Sequence, residues 1–202
     1  MKKSVFLSAS VPDLARKPQY ADCKPLAIRD AVLALAMETS IRNIPLIFGG
    51  HPSITVFLAR WAKHTGQVDH VTLYQSRFFE DQFPPEIKAI PELKLVDKVA
   101  GKLLPNLTHF RQVMLSENNI GLGVFMGGMD GLQEERDILQ RSHPKAVLMP
   151  MIQLGGQTRD IFPKESLDPL VKETFETNFS PGGRFAAILD RLAFGEPSSS
   201  QG

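Results

Sequence analysis

Along this chain, short apolar runs alternate with segments whose apolar residues recur every three or four positions. The runs at 5–8, 44–48, 70–74, 121–126 and 146–151, with a weaker one at 93–96, read as strands. Several are apolar without interruption, as expected of strands buried on both faces. Between the first two, Pro25 opens a segment in which Ile28, Ala31, Val32, Leu35 and Ala36 recur at helical spacing, with Arg29, Asp30 and Glu38 on the other side. Similar segments follow Pro52 (Ile54, Phe57, Leu58, Trp61), Asn106 (Phe110, Val113, Met114) and Asp130 (Leu132, Ile138, Leu139). Two further helices are expected at about 166–179 and 184–194. Parallel strands need a crossover across the sheet face, and a helix supplies it. The predicted fold is therefore α/β, a Rossmann-like three-layer arrangement with a mainly parallel sheet and helices on both faces. One domain is expected over 1–195, with no internal repeat or linker. Residues 80–91 carry Pro84, Pro85 and Pro91 and read as a long connection. The small polar residues 196–202 read as a disordered tail.

Composition narrows the function classes. In 202 residues, 23 Lys and Arg face 22 Asp and Glu, so the basic excess that non-specific nucleic-acid binding draws on is missing. Cys23 is the single cysteine, which excludes an internal disulfide and a thiolate metal site. The five histidines show no metal-binding spacing, and neither a metal nor a resident cofactor is expected. Lys2-Lys3 followed by Val5-Phe6-Leu7 superficially suggests a signal peptide, but Ser8 and Ser10 break the apolar run. No stretch approaches the roughly 18 apolar residues of a spanning helix. A cytoplasmic protein without membrane insertion is expected.

Candidate chemistry gathers where strands end, because loops there lead into helix N-termini whose N–H groups favour anions. Gly49-Gly50 follows the second strand, Gly127-Gly128 the fifth and Gly155-Gly156 the sixth, each just before a segment that reads as helix or loop. Glycine there permits positive φ or close approach of backbone to a phosphate. No Gly-Lys-Ser/Thr occurs, which excludes a P-loop NTPase.

The stretch Phe125-Met-Gly-Gly-Met-Asp-Gly-Leu-Gln-Glu134 resembles the P-G-G-x-G-T-x-x-E signature of the Lonely Guy nucleotide phosphoribohydrolases and the wider SLOG Rossmann-like group. The signature glutamate falls on Glu134, and the arginine of that family's R-K-A-x-M stretch falls sixteen residues before Gly127, on Arg111. Ile47-Phe-Gly-Gly-His-Pro-Ser-Ile-Thr55 stands where the family has its Y-G-G-G-x-x-G-L-M-G loop, and residues 5–10 stand where it begins V-F-C-G-S-S. The signature proline is Met126 here, its third glycine Asp130 and its threonine Gly131. After Arg111, Gln112 replaces lysine and Leu115 methionine. A carboxylate at Asp130 would repel a phosphate on the same helix N-terminus unless it contacts a ribose hydroxyl or points away.

The resemblance is closest to divergent SLOG branches that serve as sensor domains in bacterial antiphage systems. It implies binding or sensing of a nucleotide or nucleotide-derived molecule at the carboxyl edge of the sheet, a homodimer, and an effector protein as a further partner. The ligand-binding residues expected are Ser8, Ser10, Gly49, Gly50, His51, Thr55, Gly127, Gly128, Met129, Asp130 and Gly131, with Tyr74, Gln75 and Ser76 as further lining. Arg159 and Asp160 are placed to close over the pocket. The alternative is an enzyme that hydrolyses a nucleotide N-glycosidic bond, with Arg111 and Glu134 as catalytic residues. Such cleavage builds positive charge on the ribose, which a carboxylate stabilises while an arginine holds the phosphate or the leaving base.

Overall fold

Six strands, β1 (Ser4–Ser10), β2 (Leu46–Gly49), β3 (Val71–Ser76), β4 (Glu92–Val96), β5 (Ile120–Gly127) and β6 (Val147–Pro150), form one sheet in the order β4-β3-β2-β1-β5-β6. Every neighbouring pair is parallel. These features come from a computed structural model that describes residues 2–194 apart from Pro91 and Ala193; the predicted tail at 196–202 lies outside the described residues. The helices are α1 (Pro25–Ile41), α2 (Pro52–Thr65), α3 (Leu103–Ser116), α4 (Gly131–Ser142), α5 (Gln157–Ile161), α6 (Pro169–Thr177) and α7 (Pro181–Arg191). Proline opens α1, α2, α6 and α7, where its missing N–H costs nothing and its fixed φ suits a helix start.

Alternation along the strands divides the core in two. Val5, Leu7, Leu46, Phe48, Leu122 and Val124 join Ile28 and Leu35 of α1, Leu58 of α2 and Ile188 of α7 on one face. Phe6, Ile47 and Phe125 join Phe110 and Met114 of α3 and Leu132 and Leu139 of α4 on the other. This is the three-layer α/β Rossmann-like fold expected from the alternating pattern.

The strand order carries functional weight. The chain steps outward from β1 through β2 and β3 to β4, then returns through α3 to lay β5 on the other side of β1. The order therefore reverses at β1 and β5, and a crevice opens at their carboxyl ends, where α/β folds bind ligands.

The structure differs from expectation in three places. The connection at 80–91 includes the end of one 3-10 segment, Arg77–Gln82, and the whole of another, Pro85–Ala89, and buries Ile87 and Ile90. Helix α3 starts at Leu103, before Asn106, because the buried Asn106 side chain ties down the preceding loop by accepting from Val99 N–H at 2.9 Å and donating to the Lys102 carbonyl at 2.7 Å. The loop after Gly155-Gly156 contains the short helix α5. Among the described residues, no helix is long and apolar enough to cross a membrane.

Candidate functional site

At the switch point a cleft of about 170 Å³ opens between the end of β1, the β2–α2 and β5–α4 junctions, and α3. Ser8, Ser10, Gly49, Gly50, His51 and Met129 line it, with Gly131, Phe110, Arg111 and Glu135 completing the wall. The N-termini of α2 and α4 both border it, so two helix dipoles present their positive ends to whatever enters.

A charged network forms one wall. Arg111, whose side chain is 12% exposed, pairs through Nη1 with Glu134 and through Nε, at 3.4 Å, with Glu135. Thr108 donates to the other Glu134 oxygen at 2.6 Å. Ser8 donates from β1 to the second Glu135 oxygen. Arg111 and Glu134 were expected as partners in one site, and α3 and α4 bring them into contact. Burial pushes the Glu135 carboxyl above its usual range, against the lowering effect of Arg111 and Ser8.

Glu135 is the residue that the sequence pattern hid. It lies on the inward stripe of α4, three positions after Leu132 and three before Ile138, and its side chain is 17% exposed. A carboxylate on an apolar stripe was the available signal. Glu134, adjacent in sequence, is 34% exposed and sits at the rim.

Gly131 makes room for the arginine. A Cβ built there would come within 2.2 Å of Arg111 Nη2, so the threonine of the related signature collides with this guanidinium unless the arginine moves. Asp130 does not face the cleft as an unmatched charge, because its carboxylate, 69% exposed, pairs with Lys17 Nζ at 2.6 Å.

The glycine pairs divide by role. Gly127 and Gly128 have φ of 63° and 84°, and a Cβ on Gly127 would meet the Ser10 carbonyl at 2.5 Å, so both positions require glycine. Gly128 N–H donates to the Ser10 carbonyl at 2.9 Å, and Gly50 N–H to the Tyr74 carbonyl at 3.0 Å, so these amides are already committed within the protein. Gly156 packs against the Gly127 backbone, while Thr158 donates to the Gly127 carbonyl at 2.9 Å and Gln157 N–H to the Gly128 carbonyl at 3.1 Å. The third glycine pair thus belongs to a strap that braces the second.

Other expected residues lie differently. His51 caps α2 and exchanges a hydrogen bond with Ser53 at 2.8 Å, and burial pushes its ring pKa down, so it is neutral at neutral pH. Thr55 is buried and donates back to the His51 carbonyl at 2.9 Å. Tyr74 hydrogen-bonds Lys94, Asn118 and Glu117, Gln75 lies under Gly50, and Ser76 caps the segment that follows it. Of these residues His51 lines the cleft, whereas Thr55, Tyr74, Gln75 and Ser76 do not. Arg159 pairs with Asp22 and Asp160 outside it. Among the described residues, no group of three His, Cys, Asp or Glu could hold a metal ion.

No curated protein matches this chain. The family model described as the SLOG cluster3 family matches residues 19–178, a span that contains both glycine junctions, Arg111, Glu134 and the bracing strap. With most of its length so matched, the chain belongs to the SLOG cluster3 family.

Proposed function

We propose that this protein binds a nucleotide or nucleotide-derived signal in the switch-point cleft and acts as a sensor, in keeping with a role in antiphage defence. The observation that carries this reading is the Ser8–Glu135–Arg111–Glu134–Thr108 network set between two helix N-termini. Carboxylates and serines suit ribose hydroxyls and base amino groups, and the helix N-termini suit a phosphate, while Arg111, paired with Glu134 and Glu135, holds the two carboxylates in place. The cleft is smaller than the ~300–1,000 Å³ of typical small-molecule pockets, so it takes one part of such a ligand and leaves the rest on its open rim. Membership of a SLOG family supports a nucleotide-related function. A homodimer fits the exposed Leu26, Met37 and Ile41 of α1, and an effector protein would read the sensor's state.

One observation favours hydrolysis as the second reading. Glu134 and Glu135 sit beside one arginine in unlike environments, and carboxyls so separated can divide acid and base roles at an N-glycosidic bond. Against it, both Glu134 oxygens already accept hydrogen bonds from Arg111 and Thr108.

A thermal-shift panel of mononucleotides, NAD, ADP-ribose and cyclic dinucleotides, with each mixture then assayed for free base, separates the readings. The sensor reading expects a rise in Tm without release of base, since a ligand that binds only the folded state must stabilise it. Release of base that Glu134→Gln abolishes would replace it with the hydrolase reading. No rise with any compound would contradict both.

A further inference from the structure

A second groove, of about 380 Å³, lies on the α7 side of the molecule beyond the end of β6. Ile152, Gln153, Arg159, Lys164, Phe175 and Arg184 line it. Its charge is one-sided, because three cationic side chains and no carboxylate border it. Arg159 is matched by Asp22 and Asp160. Among the described residues, no carboxylate pairs with Lys164 or Arg184.

Arg184 is held ready for a planar or anionic guest. Its guanidinium lies over the Phe175 ring at 4.9 Å, and its Nε donates to the Asn178 carbonyl at 2.7 Å. The second contact fixes the plane of the fork, leaving the two Nη groups without a protein acceptor among the described residues. Burial pushes its pKa down with no carboxylate to oppose the effect. A half-exposed guanidinium without a carboxylate partner can offer a bound anion a charge-assisted bidentate contact. Phe175 and Ile152 give the groove an apolar floor, against which a flat or apolar body can rest.

We propose that this groove is a second ligand site, which takes a small molecule carrying one phosphate or carboxylate on a flat apolar body. The anionic head sits between Lys164 and the Arg184 fork, with Arg159 at its edge, and the body lies along Phe175 and Ile152. The groove size falls within the ~300–1,000 Å³ range of small-molecule pockets. The site is separate from the Arg111 cleft and does not depend on the nucleotide reading.

Titration calorimetry with phenyl phosphate, phenylacetate and inorganic phosphate tests the assignment. Phenyl phosphate is expected to bind with a Kd below about 1 mM, and inorganic phosphate about tenfold more weakly because it leaves the apolar floor empty. Phenylacetate is expected to bind more tightly than inorganic phosphate, because it too fills the apolar floor. Arg184→Ala should weaken phenyl phosphate about tenfold, and Lys164→Ala and Arg184→Lys each about threefold. Circular dichroism verifies folding, and the milder variants carry the test if Arg184→Ala unfolds. Equal affinity in the folded variants, equal affinity for inorganic and phenyl phosphate, or no binding by the native chain would overturn the proposal.

Discussion

Glu135 shows how one residue can escape a motif and still define a site. Its neighbour Glu134 carries the signature position, yet Glu135 accepts a hydrogen bond from Ser8 of β1 and lies against Arg111. The position follows from α4 geometry, in which Leu132, Glu135 and Ile138 share one side. Burial raises its carboxyl pKa, so the folded state holds a proton more tightly than the unfolded chain. The stability associated with the protonated form is fully present below the unfolded pKa and is lost as pH rises through the raised folded value. Glu135→Gln removes that loss. Urea midpoints measured at acidic and neutral pH should therefore shift in favour of the variant as pH rises, and a difference independent of pH would contradict this account.

The resemblance to the family signature paired Arg111 with Glu134, because its motif distance along the chain relates positions on two consecutive helices. It could not report that Gly131 clears space for the guanidinium, or that Asp130 turns to Lys17, since both depend on side-chain direction. Nor did it show that Thr55 satisfies its hydroxyl on its own helix, a local bond open to any threonine in a first turn.

At the scale of elements, the buried strands and long helices were legible because their periodicity is strong. The edge strand β4 was weaker for a physical reason, its outer positions being exposed and therefore polar. Helix α5 spans only five residues, too short for any period to show. Its role is tertiary, since the strap from Gly155 to Thr158 braces the turn beside the cleft. Gly156 has φ of 70°, and a Cβ there would lie 2.7 Å from the Gly127 backbone carbon. Gly156→Ala combines backbone strain with a collision that no side-chain rotation relieves. A loss of about 2–4 kcal/mol in chemical denaturation is expected. A loss below about 1 kcal/mol, the usual cost of helix or strand propensity alone, would show that the strap yields instead of bracing.

At the scale of the whole molecule, the sheet order makes the site. Residues from β1, the β2–α2 junction, α3 and the β5–α4 junction are scattered from Ser8 to Glu135 along the chain and meet only because β5 returns to the side of β1. Alternating strands and helices predicted a parallel sheet and a ligand at its carboxyl edge, but not which strands adjoin. The small net charge of +1 means that the attraction for a phosphorylated ligand must be local. The Arg184 groove, lined by Arg159, Lys164 and Arg184, is one such place, and in the switch-point cleft the helix N-termini supply the local attraction.

Nucleotide binding is proposed to take place in the switch-point cleft. Its most direct test is amide chemical-shift mapping with the most stabilising compound of the nucleotide panel. The largest shifts are expected at residues 8–10, 49–51 and 129–135, with those at 152–153, 159–164 and 184 much smaller. Shifts concentrated in the second set, or spread without a maximum at the cleft, would contradict it.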